Sequence, residues 1–169
     1  MILADYQIRQ LCEHGFVDPF NESLINPASI DVRIGNTLMI ESAEGLELKK
    51  YPINDHTEDS PYELTPGQFC LASTLEKFNM PCNVAGEFRL KSSKARMGYD
   101  QALAVWLDPG WSGSVLTMEL KNNRQLHRLP LYPGMKIGQI ILHRMDKPLK
   151  TYLETGRYNG DLDVTGSKD

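Results

Sequence analysis

The segment at 91–96 concentrates hydroxyl groups and cations in six residues: Lys91, Ser92, Ser93, Lys94, Ala95 and Arg96. Arginine grips phosphate oxygens through paired hydrogen bonds, lysine acts as a point charge, and serine adds short-range donors. A helix that begins here would add free backbone N–H groups to anion binding. On composition alone a solvated charged turn is the commoner explanation, so phosphate binding is the hypothesis for this segment.

Glu119 is the candidate proton carrier. In a strand over 115–120, alternation places Val115, Thr117 and Glu119 on one face and Met118 on the other. If that face lines a pocket, desolvation raises the pKa of the carboxyl group and lets it carry protons near neutral pH. If it does not, Glu119 is an ordinary solvated side chain.

Asp108 follows an apolar run and opens an Asp-Pro-Gly sequence. Aspartate at this position commonly starts a tight turn. Its carboxylate is also suited to accept a hydrogen bond from a sugar hydroxyl. Both interpretations stay open from the sequence.

Composition excludes several other kinds of chemistry. The chain has three cysteines and four histidines, with no Cys-x-x-Cys or His-x-Glu pair, so we expect neither a zinc site nor a disulfide framework. The net charge of −4 argues against a long nucleic acid as partner. No apolar stretch has the length of a membrane span, and no signal-peptide core is present, which predicts a cytoplasmic protein.

The elements that must position these residues are mostly strands. Residues 5–14 predict one short helix, with Asp5 as its N-cap and Gly15 as its stop. Short apolar runs separated by turn residues, such as Gly35-Asn36 between the first two, then predict strands of a barrel or jelly roll, at 30–34, 38–40, 69–75, 84–90, 102–107, 115–120 and 137–142. Residues 42–61 are polar and predict a surface excursion. The length of 169 residues suits a single domain, with 148–169 a disordered tail or a lid.

The order and spacing of four motifs resemble one known family. Residues 26–35 match its early Ser-x-Asp-x-Arg fingerprint, and 92–96 match its Ser-Ser-x-Ala-Arg motif. Residues 108–113 with 117–119 resemble its Asp-Pro-Gly-aromatic-Ser-Gly and Thr-Leu-Glu block, and 133–139 its Pro-Gly-Met to Gly-Gln strand. The chain is identified as a member of the dCTP deaminase family, within the dUTPase-like superfamily.

The resemblance implies a distorted β jelly roll of the dUTPase-like type, assembled as a homotrimer with active sites between subunits. It implies zinc-independent deamination of dCTP, or a related deoxycytidine nucleotide, to dUTP and ammonia, with Mg²⁺ bound through the substrate phosphates. Glu119 would be the general base and acid, while Ser92 and Arg96 would help to hold the attacking water. No nucleic acid or membrane partner is implied.

The same resemblance assigns the remaining substrate contacts. Lys91, Ser93 and Lys94 fall in its phosphate-contacting segment together with Ala95. Asp108 would meet the sugar 3′-hydroxyl, and Thr117, beside Met118, would present backbone groups to the base. Finally, the tail would close over the triphosphate through Tyr152, Arg157 and Asp161.

Three departures from the family pattern leave alternatives open. The spacing from Asp108 to Glu119 is one residue longer than usual, which predicts a compensating bulge. Asp161 stands where the family usually has glutamine, and a carboxylate repels a triphosphate unless a cation compensates. Trp106 is typical of bifunctional members that form dUMP. A dUTP pyrophosphatase, or a catalytically silent nucleotide-binding trimer, also remains a candidate.

Overall fold

Strands dominate the computed structural model of the chain, which describes residues 1–102 and 104–168. The helices among these residues are α1 (Asp5–Glu13), a 3-10 turn (Glu22–Leu24), α2 (Ser92–Met97) and α3 (Tyr152–Thr155). The strands are β1 (Val17–Asp18), β2 (Ile25–Asn26), β3 (Ser29–Ser42), β4 (Gly45–Pro52), β5 (Tyr62–Leu64), β6 (Phe69–Asn79), β7 (Val84–Leu90), β8 (Tyr99–Gln101), β9 (Trp106–Leu107), β10 (Ser112–Asn122), β11 (Leu129–Leu131) and β12 (Lys136–Arg144).

The long strands form one curled antiparallel sheet in the order β8-β10-β6-β3-β12-β7-β9. Strand β1 pairs with β6, while β2 and β4 pair with β3, and β5 and β11 form a separate two-stranded ribbon. The mostly β jelly roll expected from short apolar runs and frequent turns is confirmed. Within the described residues, none of the helices has the length and apolarity needed to cross a membrane.

Helix α1 forms where the sequence predicts it, but its cap differs. Ala4 is the N-cap, and the Gln7 side chain accepts a hydrogen bond from the Ala4 N–H at 3.0 Å. Asp5 is already helical, and its carboxylate accepts the Tyr6 N–H at 2.7 Å. The prediction of Asp5 as N-cap was wrong because Ala4 takes the extended backbone geometry of a cap. Gly15, with φ of +86°, follows the end of the helix as predicted.

Strand β3 runs through the position where the sequence predicts a turn. Gly35-Asn36 does not separate two strands, because Ser29–Ser42 is continuous, with a register shift against β6 between Ile34 and Leu38. A Cβ atom on Gly35 would lie 2.9 Å from the Thr74 carbonyl oxygen. The glycine therefore permits close approach of two strands rather than a reversal of the chain.

Two further segments differ from the sequence-based expectation. The polar stretch 42–61 is on the surface as predicted, yet it contains β4, an exposed strand that pairs with β3. The strand predicted over 102–107 is limited to Trp106–Leu107. Leu103, in the middle of that stretch, lies outside the described residues.

A buried ion pair joins β3 to β6 beneath the early fingerprint motif. Glu76 is 0% exposed, and its carboxylate accepts the Arg33 N–H at 2.9 Å and the Arg33 Nε–H at 2.6 Å. A carboxyl group buried this deeply needs hydrogen-bond and ion-pair partners to offset the loss of its contacts with water. Arg33, which belongs to the motif at 26–35, therefore has a structural role in this chain.

We expect Arg33→Met to lower the free energy of unfolding by about 3 kcal/mol, because it leaves Glu76 buried without its guanidinium partner. The measurement is urea denaturation at fixed protein concentration. The matched control is Arg9→Met, which removes an exposed ion pair with Glu22 and should cost under about 1 kcal/mol. Equal losses in the two variants would contradict a structural role for the buried pair.

Candidate active site

Strand β10 forms one wall of a cavity of about 400 Å³. The other walls are the segment around β9 and the tail after β12. This volume is within the range of pockets that hold small ligands. The lining residues are Leu71, Ala104, Trp106, Leu107, Asp108, Trp111, Val115, Leu116, Thr117, Glu119, Tyr152, Tyr158, Asp161, Thr165, Gly166 and Ser167.

Glu119 is a partly buried carboxyl group at this cavity. Burial is the largest effect on the pKa of Glu119 and raises it above the ordinary value of a glutamate, although the Gln101 side chain is near enough to offset part of this rise without forming a well-aligned hydrogen bond. Glu119 Oε2 and Gln101 Nε2 are both buried and have no hydrogen-bond partner within the described part of the chain. Buried polar atoms in this state commonly meet water or a ligand. The carboxyl group is therefore placed to exchange a proton with a bound molecule.

The alternation of β10 explains the lining from Thr117 onward, whereas Leu116, at the register shift between Val115 and Thr117, also lines the cavity. Thr117 and Glu119 line it, whereas Met118 is fully buried in the core on the opposite face. Only backbone atoms of Met118 could therefore contact a ligand. The register of β10 against β6 shifts between Ser112 and Ser114 and again between Val115 and Thr117. These irregularities lie within the longer spacing from Asp108 to Glu119, as the compensating-bulge hypothesis requires.

Asp108 both starts a turn and lines the cavity, so its two interpretations are compatible. Its carbonyl oxygen accepts the Trp111 N–H at 3.2 Å, and Gly110 takes the positive φ of +85° that the turn needs. Trp111 is buried, and its indole Nε1 donates to the Tyr158 carbonyl oxygen at 2.8 Å. Trp111 thereby joins the turn that follows β9 to the tail.

The tail after β12 packs along β10 and covers one side of the cavity. The Val115 N–H donates to the Asp161 carbonyl oxygen at 2.8 Å, and the Thr165 N–H donates to Thr117 Oγ1 at 3.3 Å. Tyr152 on α3 also lines the cavity, and its N–H donates to the Pro109 carbonyl oxygen at 2.9 Å. Among the predicted tail residues, Tyr152 and Asp161 line the cavity. Arg157 is exposed, and its Nη1 donates to the Lys168 carbonyl oxygen at 3.4 Å.

The segment 91–96 lies away from this cavity. It forms α2 and the residue before it, and none of its six side chains is among those that line the cavity. Lys91 Nζ donates to Asp31 Oδ1 at 2.6 Å, and Asp31, only 2% exposed, also accepts from Asn26 Nδ2 at 2.8 Å. Lys91 thus anchors the start of α2 to β3, which neutralises the charge that was predicted to meet phosphate.

Apart from Lys94, which is half-buried, the polar groups in the rest of α2 face solvent. Lys94 lies 6.0 Å from the centre of the Tyr99 ring, and burial lowers the pKa of Lys94. The side chains of Ser92, Ser93, Ala95 and Arg96 are exposed. The hydroxyl groups of Ser92 and Ser93 and the guanidinium group of Arg96 are therefore at the protein surface, away from the cavity that Glu119 lines.

The cavity itself is acidic. Three carboxyl groups, those of Asp108, Glu119 and Asp161, line it, and no lysine or arginine is among the lining residues that the structure describes. Aromatic rings of Trp106 and Tyr158 supply flat apolar surface suited to a planar ligand. A proton-carrying carboxyl beside such a surface suits chemistry on a ring, while an anionic ligand would need cations from elsewhere.

Several lining residues escaped the sequence-based prediction. Tyr158 lies between Arg157 and Asp161, two predicted tail contacts, but is not itself predicted. Thr165, Gly166 and Ser167 carry no local signal, since small residues in a polar tail are typical of any loop. Their role depends on where the tail docks.

Comparisons with known proteins agree on one family. The sequence model described as dCTP deaminase-like matches residues 2–145. The chain is 36% identical over 183 residues to "dCTP deaminase, dUMP-forming" of Corynebacterium efficiens, covering 99% of this chain and 94% of that protein. It is 37% identical over 171 residues to the protein of the same name from Streptomyces coelicolor, covering 94% and 87%.

A solved structure shares the fold. The 2′-deoxycytidine 5′-triphosphate deaminase of Agrobacterium tumefaciens superposes with a TM-score of 0.69 at 19% identity. The match covers 86% of this chain but 48% of that chain, so this chain spans about half its length. The predicted fold class, a dUTPase-like jelly roll with a short N-terminal helix, is confirmed.

Proposed function

Because this chain belongs to the dCTP deaminase-like family, we propose that it hydrolytically deaminates dCTP. The observation that carries the proposal is Glu119, a partly buried carboxyl group of raised pKa with one unpartnered oxygen at a ligand-sized cavity. The choice of dCTP as substrate rests on the names of the relatives. The choice of Glu119 as proton carrier rests on its place at the cavity.

In the proposed mechanism, the oxygen of a water molecule attacks C4 of the cytosine ring while Glu119 accepts a proton from that water and passes it to N3 as the C4=N3 double bond opens. Glu119 then takes the hydroxyl proton of the tetrahedral adduct and delivers it to the exocyclic nitrogen, so that the C4–N bond breaks, ammonia leaves and the C4 carbonyl forms. One water is consumed, and the glutamate returns to its starting charge. Fixed donors around the tetrahedral adduct stabilise the transition state. Thr117 would contact the base through its backbone and Asp108 the sugar hydroxyl.

We propose that Ser92 and Arg96 reach Glu119 from a neighbouring copy of the chain in a homotrimer. Two observations support this proposal. The described residues that line the cavity include no lysine or arginine. The hydroxyl groups of Ser92 and Ser93 and the guanidinium group of Arg96 are exposed on α2, away from the cavity of their own chain. A triphosphate in an acidic cavity needs compensating charge. A second copy that brings α2 to the cavity would supply it.

Mg²⁺ on the substrate phosphates is part of this proposal. The carboxylate of Asp108, which lines the cavity, is a hard oxygen donor of the kind that Mg²⁺ prefers and fits the ion beside the phosphates. When bound, the ion would screen the negative charge of the phosphates.

Two further expectations from the sequence stay predictions. The first is that the chain is a single domain in which residues 148–169 act as a lid, of which Asp169 lies outside the described residues. The second is that the protein is cytoplasmic.

A second candidate concerns the product. The sequence analysis predicts dUTP as the product of deamination, and this stays a prediction. The relatives at 36–37% identity, however, carry the name "dCTP deaminase, dUMP-forming". Trp106, 56% exposed at the cavity, is the residue that suggested a bifunctional member. We therefore propose that hydrolysis of the triphosphate follows deamination, with water attacking the α-phosphorus and pyrophosphate leaving.

The expected result with dCTP and Mg²⁺ is one ammonia and one pyrophosphate per dUMP formed. Ammonia release, pyrophosphate release and nucleotide chromatography measure the three products separately. Accumulation of dUTP without pyrophosphate would contradict the bifunctional proposal alone. Binding of dCTP without ammonia would favour a silent regulator, and turnover of dUTP but not dCTP would favour a pyrophosphatase.

A further inference from the structure

The carboxylate of Asp161 shares the cavity with Glu119, where it would repel a polyphosphate. It is paired with a cation that does not line the cavity itself. Lys168 Nζ lies 2.6 Å from Asp161 Oδ1 and 2.8 Å from Oδ2, so both carboxylate oxygens accept from one ammonium group. The two side chains are only 33% and 18% exposed, which weakens screening by solvent.

Lys168 is held in this position by contacts other than the ion pair. Its ammonium also donates to the Arg157 carbonyl oxygen at 3.1 Å and lies 5.1 Å from the centre of the Tyr158 ring. Its backbone N–H donates to the Tyr158 hydroxyl at 3.2 Å. The positive charge is therefore directed at Asp161 by backbone and aromatic contacts that do not depend on the carboxylate.

The segment between the paired residues forms part of the cavity wall. Thr165, Gly166 and Ser167 line the cavity, and they lie between Asp161 and Lys168 in the chain. The ion pair thus closes a loop of the tail across the cavity. A cation in this place can act in two ways, by neutralising the carboxylate or by bracing the loop.

We propose, resting on the proposed function, that Lys168 is a positioning residue that neutralises Asp161 and so allows the cavity to accept a polyphosphate. The pair then determines how strongly the site prefers dCTP to nucleotides with fewer phosphates. Neutralisation makes binding depend on the charge of the ligand. A purely structural brace makes binding of every ligand depend equally on both side chains.

Two nearly isosteric variants separate these roles. Lys168→Met keeps the aliphatic chain over Tyr158 but leaves Asp161 charged and unpaired. Asp161→Asn removes the carboxylate charge and keeps its shape. Neutralisation predicts opposite effects on dCTP binding, because only Lys168→Met leaves a bare negative charge beside the phosphates. Bracing predicts similar losses, because each variant breaks the same ion pair.

The experiment measures binding by calorimetry in a Glu119→Gln background, so that turnover does not interfere. We expect Lys168→Met to weaken dCTP about tenfold, dCMP about threefold and deoxycytidine under about twofold, following ligand charge. Asp161→Asn should bind dCTP at least as tightly as the parent. The double variant should return to within about threefold of the parent, because the two sites are coupled. Lys147→Met, at an exposed tail position, is the matched control.

Equal weakening of all three ligands by Lys168→Met, or equal weakening of dCTP by both single variants, would overturn the inference. Those results would leave the proposed function intact, provided that the chain with Glu119 releases ammonia from dCTP. Failure of the proposed function looks different: no ammonia from dCTP and no nucleotide binding by the parent, which would overturn both.

Discussion

Glu119→Gln is expected to lower kcat for ammonia release from dCTP by about 10²- to 10⁴-fold while dCTP binding stays within about threefold. The amide keeps the shape of the carboxyl group but can neither take a proton from water nor return one to the leaving nitrogen. Steady-state ammonia release and calorimetric dCTP binding measure the two quantities. Glu47→Gln, at an exposed glutamate of β4, is the matched control and should be indistinguishable from the parent.

The pH dependence of the parent enzyme follows from the same carboxyl group. Glu119 must be ionised to accept a proton, and burial raises its pKa. Activity should therefore fall on the acid side at a pH above the ordinary range of glutamate. The other ionisable groups that line the same cavity are Asp108, Tyr152, Tyr158 and Asp161, the last of which is paired with Lys168.

Stability should change with pH in a matching direction. A carboxyl group whose pKa is raised in the folded state favours folding when protonated, and that contribution is lost as pH rises through the folded-state pKa. Above that pH, Glu119→Gln should unfold at a higher temperature than the parent, and the difference should shrink on acidification. Thermal melts between pH 4 and pH 8 (a range chosen to span ordinary carboxyl titration at about pH 4) test this. A variant that is inactive yet less stable at every pH would contradict a proton-carrier role for a buried carboxyl.

Mixing two inactive variants should restore activity if each site is shared between copies of the chain. Arg96→Ala leaves Glu119 intact, and Glu119→Gln leaves Arg96 intact. In a homotrimer that contains both variants, one of the three sites combines an intact Glu119 from one copy with an intact Arg96 from the next. Ammonia release by the mixed assemblies should therefore rise from near zero for either variant to about one third of the parent rate per site.

Co-expression with two different affinity tags, followed by sequential purification, isolates the mixed assemblies. The control sample mixes the two variants after each has been assembled and purified separately, without exchange of subunits. That sample should stay inactive. Absence of recovery in mixed assemblies whose sedimentation matches a trimer would place Arg96 outside the catalytic site. A monomeric parent that is fully active would contradict the shared site altogether.

Local sequence patterns predicted the elements that carry the chemistry well. Alternation in β10 correctly separates Thr117 and Glu119 from Met118, because adjacent strand residues point to opposite faces. The turn at Asp108 and the end of α1 at Gly15 follow from intrinsic backbone preferences. The predicted turn at Gly35 failed because glycine serves close approach of strands as readily as it serves turns.

Local sequence patterns could not predict contacts between segments that lie far apart in the chain. Nothing local to Lys91 indicates that its ammonium is held by Asp31, 60 positions earlier. Nothing local to Lys168 indicates that it neutralises Asp161, and the sequence left that carboxylate as an apparent conflict with a phosphate ligand. Likewise, the small residues at 165–167 become cavity wall only because the tail docks along β10.

By itself, the sequence determined the residue types available for chemistry, the β-rich fold and the family, because periodicity, turn residues and ordered motifs are properties of short segments. Only the tertiary structure decided which charges meet: it buries Glu119 beside a cavity, ties Lys91 to the core, closes Lys168 onto Asp161 and leaves Arg96 at the surface. Burial and charge pairing depend on distances between strands far apart in the chain, and those distances are set by packing.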